Sequence, residues 1–403
     1  MEICMKIALI YADDFSLWHF HRDLLARLRD AGHDVYAVSP SGKYVKHIEA
    51  MGVRHIPVRI HRFMSPIRDI LLAWELYRMC RQAGFDVVHN FTINPNIYGA
   101  VAARLAGVGR VIGTAEGLGY MYGDGAGWKV RLMRPVVNAM YRIGCSMSHR
   151  FWFVNPDDRD LFVAKGILAP EKAFLTISAG VNVQDYSADM VDESRRYHLR
   201  EKWNLVAGET VILMVVARVI WTKGVREFVE AAELLAETHP SLRFLLVGPV
   251  EEDSPESVPE QYLREKERTP SFRWWGFTED IKAAYSIADL VVLPSYYREG
   301  VPNVLLEAMA LGRAIITTDH VGCKEVVEDG KNGLLVPVRD ARALAEAVET
   351  LVLDEGRRRR FGEYARVKAE RDFDKRKIIN RIMRELYEVG EPDSDRGSAR
   401  DIG

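Results

Sequence analysis

Glu299 and Glu307 flank the opening of an expected helix just past a buried strand. Val291–Leu293 is an apolar run closed by Pro294 and Ser295, as at the carboxyl end of a parallel-sheet strand. Gly300 and Pro302 make the turn, and Val304–Leu311 reads as a helix ended by Gly312. The backbone N–H groups of the stretch from Gly300 to Val304 would then point at whatever sits above the sheet. A helix N-terminus of this kind binds anions. A carboxylate in front of a phosphate is unfavourable unless it takes a sugar hydroxyl instead. The segment therefore points to a ligand that carries both, a nucleotide sugar.

Cations for such a ligand follow another strand. Val211–Ala217 ends at Arg218, and four residues lead to Lys223 and Gly224, which opens the next helix. A guanidinium fork and an ammonium at a strand mouth can neutralise a diphosphate leaving group. Taken singly, each is an ordinary surface cation. Leu246-Val247-Gly248 closes a further strand, and Trp275-Gly276-Phe277-Thr278-Glu279-Asp280 another. There Gly276 and Phe277 could bring backbone and ring against a nucleobase, while Thr278 or Asp280 caps the following helix. The acidic clusters Asp13-Asp14 and Asp157-Asp158 read as helix caps or exposed residues rather than metal ligands, so neither metal nor cofactor is expected.

These residues need a scaffold that gathers several strand ends. One series of expected strands comprises Lys6–Ala12, Val35–Ser39, Val87–Phe91, Val111–Thr114, Phe151–Val154 and Phe174–Ile177, with a first helix near Trp18–Ala31. A second comprises Val211–Ala217, Leu242–Val247, Phe272–Trp275, Leu290–Leu293, Ala314–Thr317 and Gly333–Val336. Its helices are Val225–Thr238, Thr278–Ile287, Val304–Leu311 and Ala341–Asp354. Strands alternating with helices make each series a βαβ array on a parallel sheet. At 403 residues two domains are expected. They cover 1–183 and 208–373, joined by a polar linker over 184–207 with one or two helical turns. A last helix over 374–389 crosses back to the first domain, and 391–403 is a disordered tail.

Net charge is −2 with pI near 6.6, which offers no footprint for nucleic acid. Residues 1–190 nevertheless carry a net +4 and the remainder −6, so the first half suits an anionic partner. Cys4, Cys80, Cys145 and Cys323 make no Cys-x-x-Cys pair and are expected as buried free thiols in a reducing cytosol. The first residues are too short and polar for a signal peptide, and no run of about 18 apolar residues appears. One segment invites a membrane surface. Trp128, Leu132, Met133 and Val136 interleave with Lys129, Arg131, Arg134 and Arg142. The segment is either a core-facing helix with arginines in solvent or a basic amphipathic helix lying on anionic lipid. His61-Arg62-Phe63-Met64 could extend that patch.

Ala217-Arg218…Lys223-Gly224, Leu246-Val247-Gly248, Gly276-Phe277, Glu299-x7-Glu307 and Ser178-Ala179-Gly180-Val181-Asn182 together resemble retaining glycosyltransferases of family 4, over nearly the whole length. The resemblance implies an α/β fold of the GT-B type, two facing Rossmann-like domains with a cleft between them. It implies that Arg218 and Lys223 bind the donor diphosphate, Glu299 the donor sugar, residues 300–304 the phosphates and Glu307 the ribose. Ala115-Glu116-Gly117-Leu118-Gly119-Tyr120, with Trp18-His19-Phe20, resembles a subgroup that extends polyprenyl-diphosphate-linked sugars with an N-acetylhexosamine such as GalNAc. Phe153-Val154-Asn155 and Val321-Gly322-Cys323-Lys324 fit it too. This implies a UDP-sugar donor, a lipid-linked sugar acceptor and a peripheral position on the anionic inner face of the cell membrane. The acceptor side would comprise Ser16, His19, Glu116, Gly117, Gly119 and Tyr120.

Two departures stand out. The loop after the first strand reads Asp13-Asp14-Phe15-Ser16 where the family carries a glycine pair, and Glu116 stands where many members have histidine. Glu116 is therefore expected to orient the acceptor hydroxyl or take its proton. With no evident covalent nucleophile, the implied reaction is attack on the leaving-group face, the diphosphate oxygen taking the acceptor proton. A nucleotide-sugar epimerase of related fold, a family member with a soluble acceptor and a non-catalytic assembly partner remain alternatives. A dehydrogenase is disfavoured, because no Gly-x-Gly-x-x-Gly follows the first strand.

Overall fold

Apolar strands alternating with amphipathic helices fold, in this computed structural model, into two units, Met1–Ala179 with Arg376–Gly403, and Gly180–Lys375. The structure describes residues 4–61, 65–123, 127–187, 191–251, 254 and 256–388. The tail over 391–403 and the Arg62-Phe63-Met64 stretch lie outside them.

In the N-terminal unit the strands are β1 (Lys6–Ile10), β2 (Asp34–Ser39), β3 (Arg54–Pro57), β4 (Val87–Phe91), β5 (Arg110–Ala115), β6 (Arg150–Phe153) and β7 (Ala173–Leu175). They form one parallel sheet in the order β3-β2-β1-β4-β5-β6-β7. Alternate residues of β1 serve opposite cores: Ile7 and Leu9 pack with Leu24, Leu25 and Leu28, while Ala8 and Ile10 pack with Leu72 and Leu76. The strand β3 is absent from the sequence-based reading. It is an edge strand with no fully buried residue, and it ends in proline, so it lacks the apolar run that marks its neighbours.

The C-terminal unit holds β8 (Thr210–Val215), β9 (Leu242–Val247), β10 (Phe272–Gly276), β11 (Leu290–Leu293), β12 (Ala314–Thr318) and β13 (Gly333–Val336). Their order is β10-β9-β8-β11-β12-β13, again parallel. Strand order reverses between β1 and β4 in one sheet and between β8 and β11 in the other. Loops diverge at such a switch point and leave a crevice at the strand carboxyl ends.

One expectation about chain organisation changes and another is met. Residues 184–207 are not a bare linker. They belong to the C-terminal unit and carry a helix, Glu193–Lys202, capped by Asp192 and packed against the Ile281–Ile287 helix. The burial of Trp203 and Leu205 ties its end down, which a free linker would not do. The final segment is a helix over Lys375–Ile382 running into a π turn over Met383–Tyr387. Ile378, Ile379, Ile382, Met383, Leu386 and Tyr387 enter the same core as Ile7 and Leu9. Of the cysteines, Cys80, Cys145 and Cys323 are buried, whereas Cys4 is exposed, since it precedes β1.

Candidate functional site

At the β8/β11 switch point two loops are stitched together. The Thr222 carbonyl accepts from the N–H groups of Tyr296 and Tyr297, both at 2.9 Å. Gly224 adopts φ +81°, and a Cβ there would lie 2.1 Å from the Pro294 carbonyl oxygen. Only glycine permits that approach. The stitching places Lys223 Nζ in an ion pair with Glu299 Oε1, which also accepts from Ser295 Oγ at 3.0 Å. The Tyr297 ring stands by both expected cations, with Lys223 Nζ 5.6 Å and the Arg218 guanidinium carbon 5.9 Å from its centre. Arg218 also pairs with Glu251 at 3.2 Å. Arg218, Lys223 and Glu299 thus converge. Glu299 is the counter-ion of Lys223, which answers how a carboxylate is tolerated there.

The helix beyond begins at Asn303 and runs to Ala310, with no side-chain cap at its start. One expected donor falls away: Pro302 has no N–H. The loop's remaining N–H groups belong to Gly300, Val301, Asn303 and Val304. Behind them sits a residue the sequence reading noted only as part of a subgroup motif. Gly322 has φ +81°, and a Cβ on it would come within 2.1 Å of the Gly300 carbonyl oxygen. Glu307 follows in the helix. It accepts from the Tyr285 hydroxyl at 3.0 Å. Burial pushes its carboxyl up to about 7, against the hydroxyls of Tyr285 and Tyr186, which pull it down.

At the far strands Gly248 N–H donates to the Gly276 carbonyl at 2.8 Å, and Trp274 Nε1 donates to the Gly248 carbonyl at 2.9 Å. Gly248 passes so close to Val216 that a Cβ would lie 2.3 Å from its carbonyl oxygen. The Phe277 ring is exposed beside them. Asp280 caps the Ile281–Ile287 helix, and Thr278 Oγ1 accepts from the Asp280 N–H.

In the N-terminal unit Glu116 follows β5 directly, and Gly117 and Gly119 take positive φ, +116° and +55°, to turn the chain into a short helix over Gly119–Tyr122. Tyr120 is partly exposed on it. Asn96 clamps the strand end, its amide bonded to Thr114 N–H and carbonyl at 3.0 and 2.7 Å. The Tyr11 hydroxyl donates to Glu116 Oε2 at 2.8 Å, and His21 Nε2 lies 2.9 Å from Oε1. Of the two nearby histidines, the expected His19 does not meet Glu116 and His21 does. His19 packs on Phe15 and Tyr44 at the helix surface, and His21, on the inner face, reaches Glu116. The Asp14–Asp30 helix starts earlier than expected, so Ser16 lies in its first turn, its N–H bonded to the Asp13 cap at 2.6 Å. Asp14 accepts from the Tyr44 N–H.

The helix Trp128–Met147 buries Val137, Tyr141, Gly144 and Cys145. Gly144 lets it approach the Pro95–Gly99 turn closely, for a Cβ would meet the Asn96 carbonyl oxygen at 2.3 Å. Its opposite face is apolar yet exposed: Trp128 at 71 %, Leu132 at 72 %, with Met133, Val136 and Ile143. Lys129 and Arg131 flank this stripe. Arg134 instead donates to the carbonyls of Met121 and Gly123, holding the Glu116 loop, and Arg142 donates to those of Lys165 and Gly166. A second stripe went unread in the sequence. The Pro66–Ala83 helix exposes Ile67, Ile70, Leu71 and Trp74 at i, i+3, i+4, i+7 spacing. Both helices pack on the Pro95–Leu105 segment.

Comparison with known proteins follows this division. Residues 20–185 match the model of Glycosyltransferase Family 4, and residues 197–368 that of Glycosyl transferases group 1. The N,N'-diacetylbacillosaminyl-diphospho-undecaprenol alpha-1,3-N-acetylgalactosaminyltransferase of Campylobacter jejuni is 29 % identical over 95 % of this chain and 98 % of its own. An Escherichia coli UDP-Gal:alpha-D-GlcNAc-diphosphoundecaprenol alpha-1,3-galactosyltransferase is 24 % identical over 71 % of each chain. Among solved structures, Anabaena Alr3699/HepE in complex with UDP and glucose superposes with TM-score 0.76 at 18 % identity, covering 96 % of this chain and 100 % of that one. The lipopolysaccharide glycosyltransferase WaaG gives 0.73 at 17 %, covering 94 % and 99 %. These likenesses show the GT-B fold.

Proposed function

This chain belongs to the family-4 glycosyltransferases, and from that premise we propose that it moves N-acetylgalactosamine, or a related N-acetylhexosamine, from a UDP-sugar to a polyprenyl-diphosphate-linked sugar with retention of configuration. The observation that carries the reading is the Lys223–Glu299 ion pair beside the uncapped start of the Asn303–Ala310 helix. A diphosphate there meets Lys223, Arg218 and the N–H groups of the helix opening. Those fixed charges stabilise the negative charge that develops as the anomeric C–O bond breaks. Glu299 accepts from donor-sugar hydroxyls and Glu307 from the ribose, while Gly248, Gly276 and Phe277 border the base. The acceptor hydroxyl lies at Glu116, near Ser16, Gly117, Gly119 and Tyr120. It attacks on the face the diphosphate leaves, and the departing oxygen takes its proton.

The substrate classes follow the names of the two full-scale relatives, both of which act on undecaprenyl-diphosphate sugars. A lipid-borne acceptor gives the exposed Trp128–Ile143 and Ile67–Trp74 stripes a purpose. They enter the interface of an anionic membrane with Lys129 and Arg131 at its headgroups. The test is to offer a panel of UDP-sugars with a short-chain polyprenyl-diphosphate-linked N-acetylhexosamine. UDP-N-acetylgalactosamine is expected to give the fastest transfer. Turnover of donor alone to an epimer, or equal transfer to a free sugar, would contradict the reading.

A further inference from the structure

Glu116 is held from its buried side by residues that no motif above includes. Tyr11 stands one residue past β1, His21 lies within the Asp14–Asp30 helix, and Glu116 stands one residue past β5, so three separate elements meet on one carboxylate. Phe91, at the end of the intervening β4, forms the floor of the cluster. Its ring centre is 5.5 Å from that of Tyr11 and 4.4 Å from that of His21. Tyr11, His21 and Phe91 are all buried, His21 to within 2 % exposure, while 21 % of the Glu116 side chain reaches solvent. The carboxylate is therefore contacted from its buried side by Tyr11 and His21 and is partly exposed to solvent.

A carboxylate has about four lone-pair sites, and Tyr11 and His21 each approach a different oxygen, which fixes its plane. Burial and the neighbouring carboxylate raise the Tyr11 hydroxyl well above its ordinary range, so it remains a donor throughout the working pH range. An apolar filling of the same space would cost less stability than a buried polar cluster, so packing alone does not account for it.

We propose that Tyr11 and His21 are positioning residues that hold the Glu116 carboxylate in one orientation toward the acceptor hydroxyl, an inference that rests on the acceptor role given to Glu116 above. The acceptor oxygen forms its bond to the anomeric carbon as the bond to the diphosphate breaks. The acceptor proton leaves on the diphosphate oxygen. Glu116 accepts the hydroxyl's hydrogen bond until then, and Tyr11 and His21 neither gain nor lose a proton.

The test measures kcat and both KM values with UDP-N-acetylgalactosamine and a short-chain polyprenyl-diphosphate-linked N-acetylhexosamine. Tyr11→Phe and His21→Leu are expected to lower kcat about tenfold or more, with the donor KM changed less than about twofold. In a Glu116→Gln background Tyr11→Phe should add almost nothing, because it acts through that carboxylate. The same factor in both backgrounds overturns the inference, as does full kcat in Tyr11→Phe and His21→Leu beside a lost one in Glu116→Gln. Full turnover by Glu116→Gln would instead overturn the acceptor role itself, and the inference with it. If His21→Leu fails to fold, the Tyr11→Phe cycle, which removes a single oxygen, decides.

Discussion

Lys223 and Glu299 are both largely buried and neutralise each other, so removing either leaves an uncompensated charge at the donor edge. Lys223→Met and Glu299→Gln should each lower kcat by about 10²- to 10³-fold, the range typical of losing a group that stabilises transition-state charge. Circular dichroism should show both still folded. Gly322→Ala is a subtler case. The new methyl must displace the Gly300 carbonyl in a backbone region that suits glycine, so donor KM should rise with little change in acceptor KM. Glu307 gives a pH prediction with a fixed sign. Burial pushes its carboxyl up to about 7, and ribose hydroxyls donate more strongly to the ionised form than to the protonated one. Binding below pH 7 is therefore coupled to loss of a proton, and UDP-N-acetylgalactosamine should bind more weakly at pH 6 than at pH 8, by up to about tenfold. Titration calorimetry at the two pH values checks this, and Glu307→Gln should flatten the dependence. The convergence of Arg218, Lys223 and Glu299 was legible because each lies a few residues past a strand end. Tyr11 and His21 were not. Tyr11 meets Glu116 across 105 residues of chain, and nothing local marks such a pair.

Elements were legible where burial was complete. The expected strands of both series are largely apolar and buried, and were placed within a few residues of their ends. β3 escaped because an edge strand need not be apolar, and the Glu193–Lys202 helix because its sequence is almost wholly polar. The amphipathic helix Trp128–Met147 had two readings that periodicity could not separate, since both predict one apolar stripe. Accessibility separates them: one apolar face packs on the Pro95–Gly99 turn and another stands in solvent. Fully burying a side chain such as Leu132 or Val136 in an apolar phase is worth about 1.5–3 kcal/mol, so a few of them suffice for reversible membrane binding. Leu132→Ser with Val136→Ser should reduce co-sedimentation with anionic vesicles at least severalfold. Lys129→Ala with Arg131→Ala should do so only at low salt. Retention of wild-type binding by both pairs would remove the membrane role of this face.

For the whole molecule, the chain leaves the N-terminal unit at Ala179 and re-enters it at Arg376, so the last helix stabilises a sheet built from the first half of the sequence. Ile382 is almost fully buried in that core. Ile382→Ala should cost the N-terminal unit about 2–5 kcal/mol, read as an earlier first transition in thermal unfolding, with the C-terminal transition unmoved. A shortage of partners for this helix within the second domain was visible in the sequence. The units divide after 179 and 375, against the expected 183 and 373, and within the C-terminal unit a Val181–Asp374 bridge pairs the segments next to the two divisions. The account as a whole claims a retaining transfer to a lipid-linked sugar. The most direct test is to isolate the product formed from UDP-N-acetylgalactosamine and a short-chain polyprenyl-diphosphate-linked N-acetylhexosamine and to read the new linkage by NMR. An α-linked N-acetylgalactosamine on the acceptor sugar, absent with Lys223→Met, is the predicted result. A β linkage, or release of free sugar with the acceptor untouched, would contradict it.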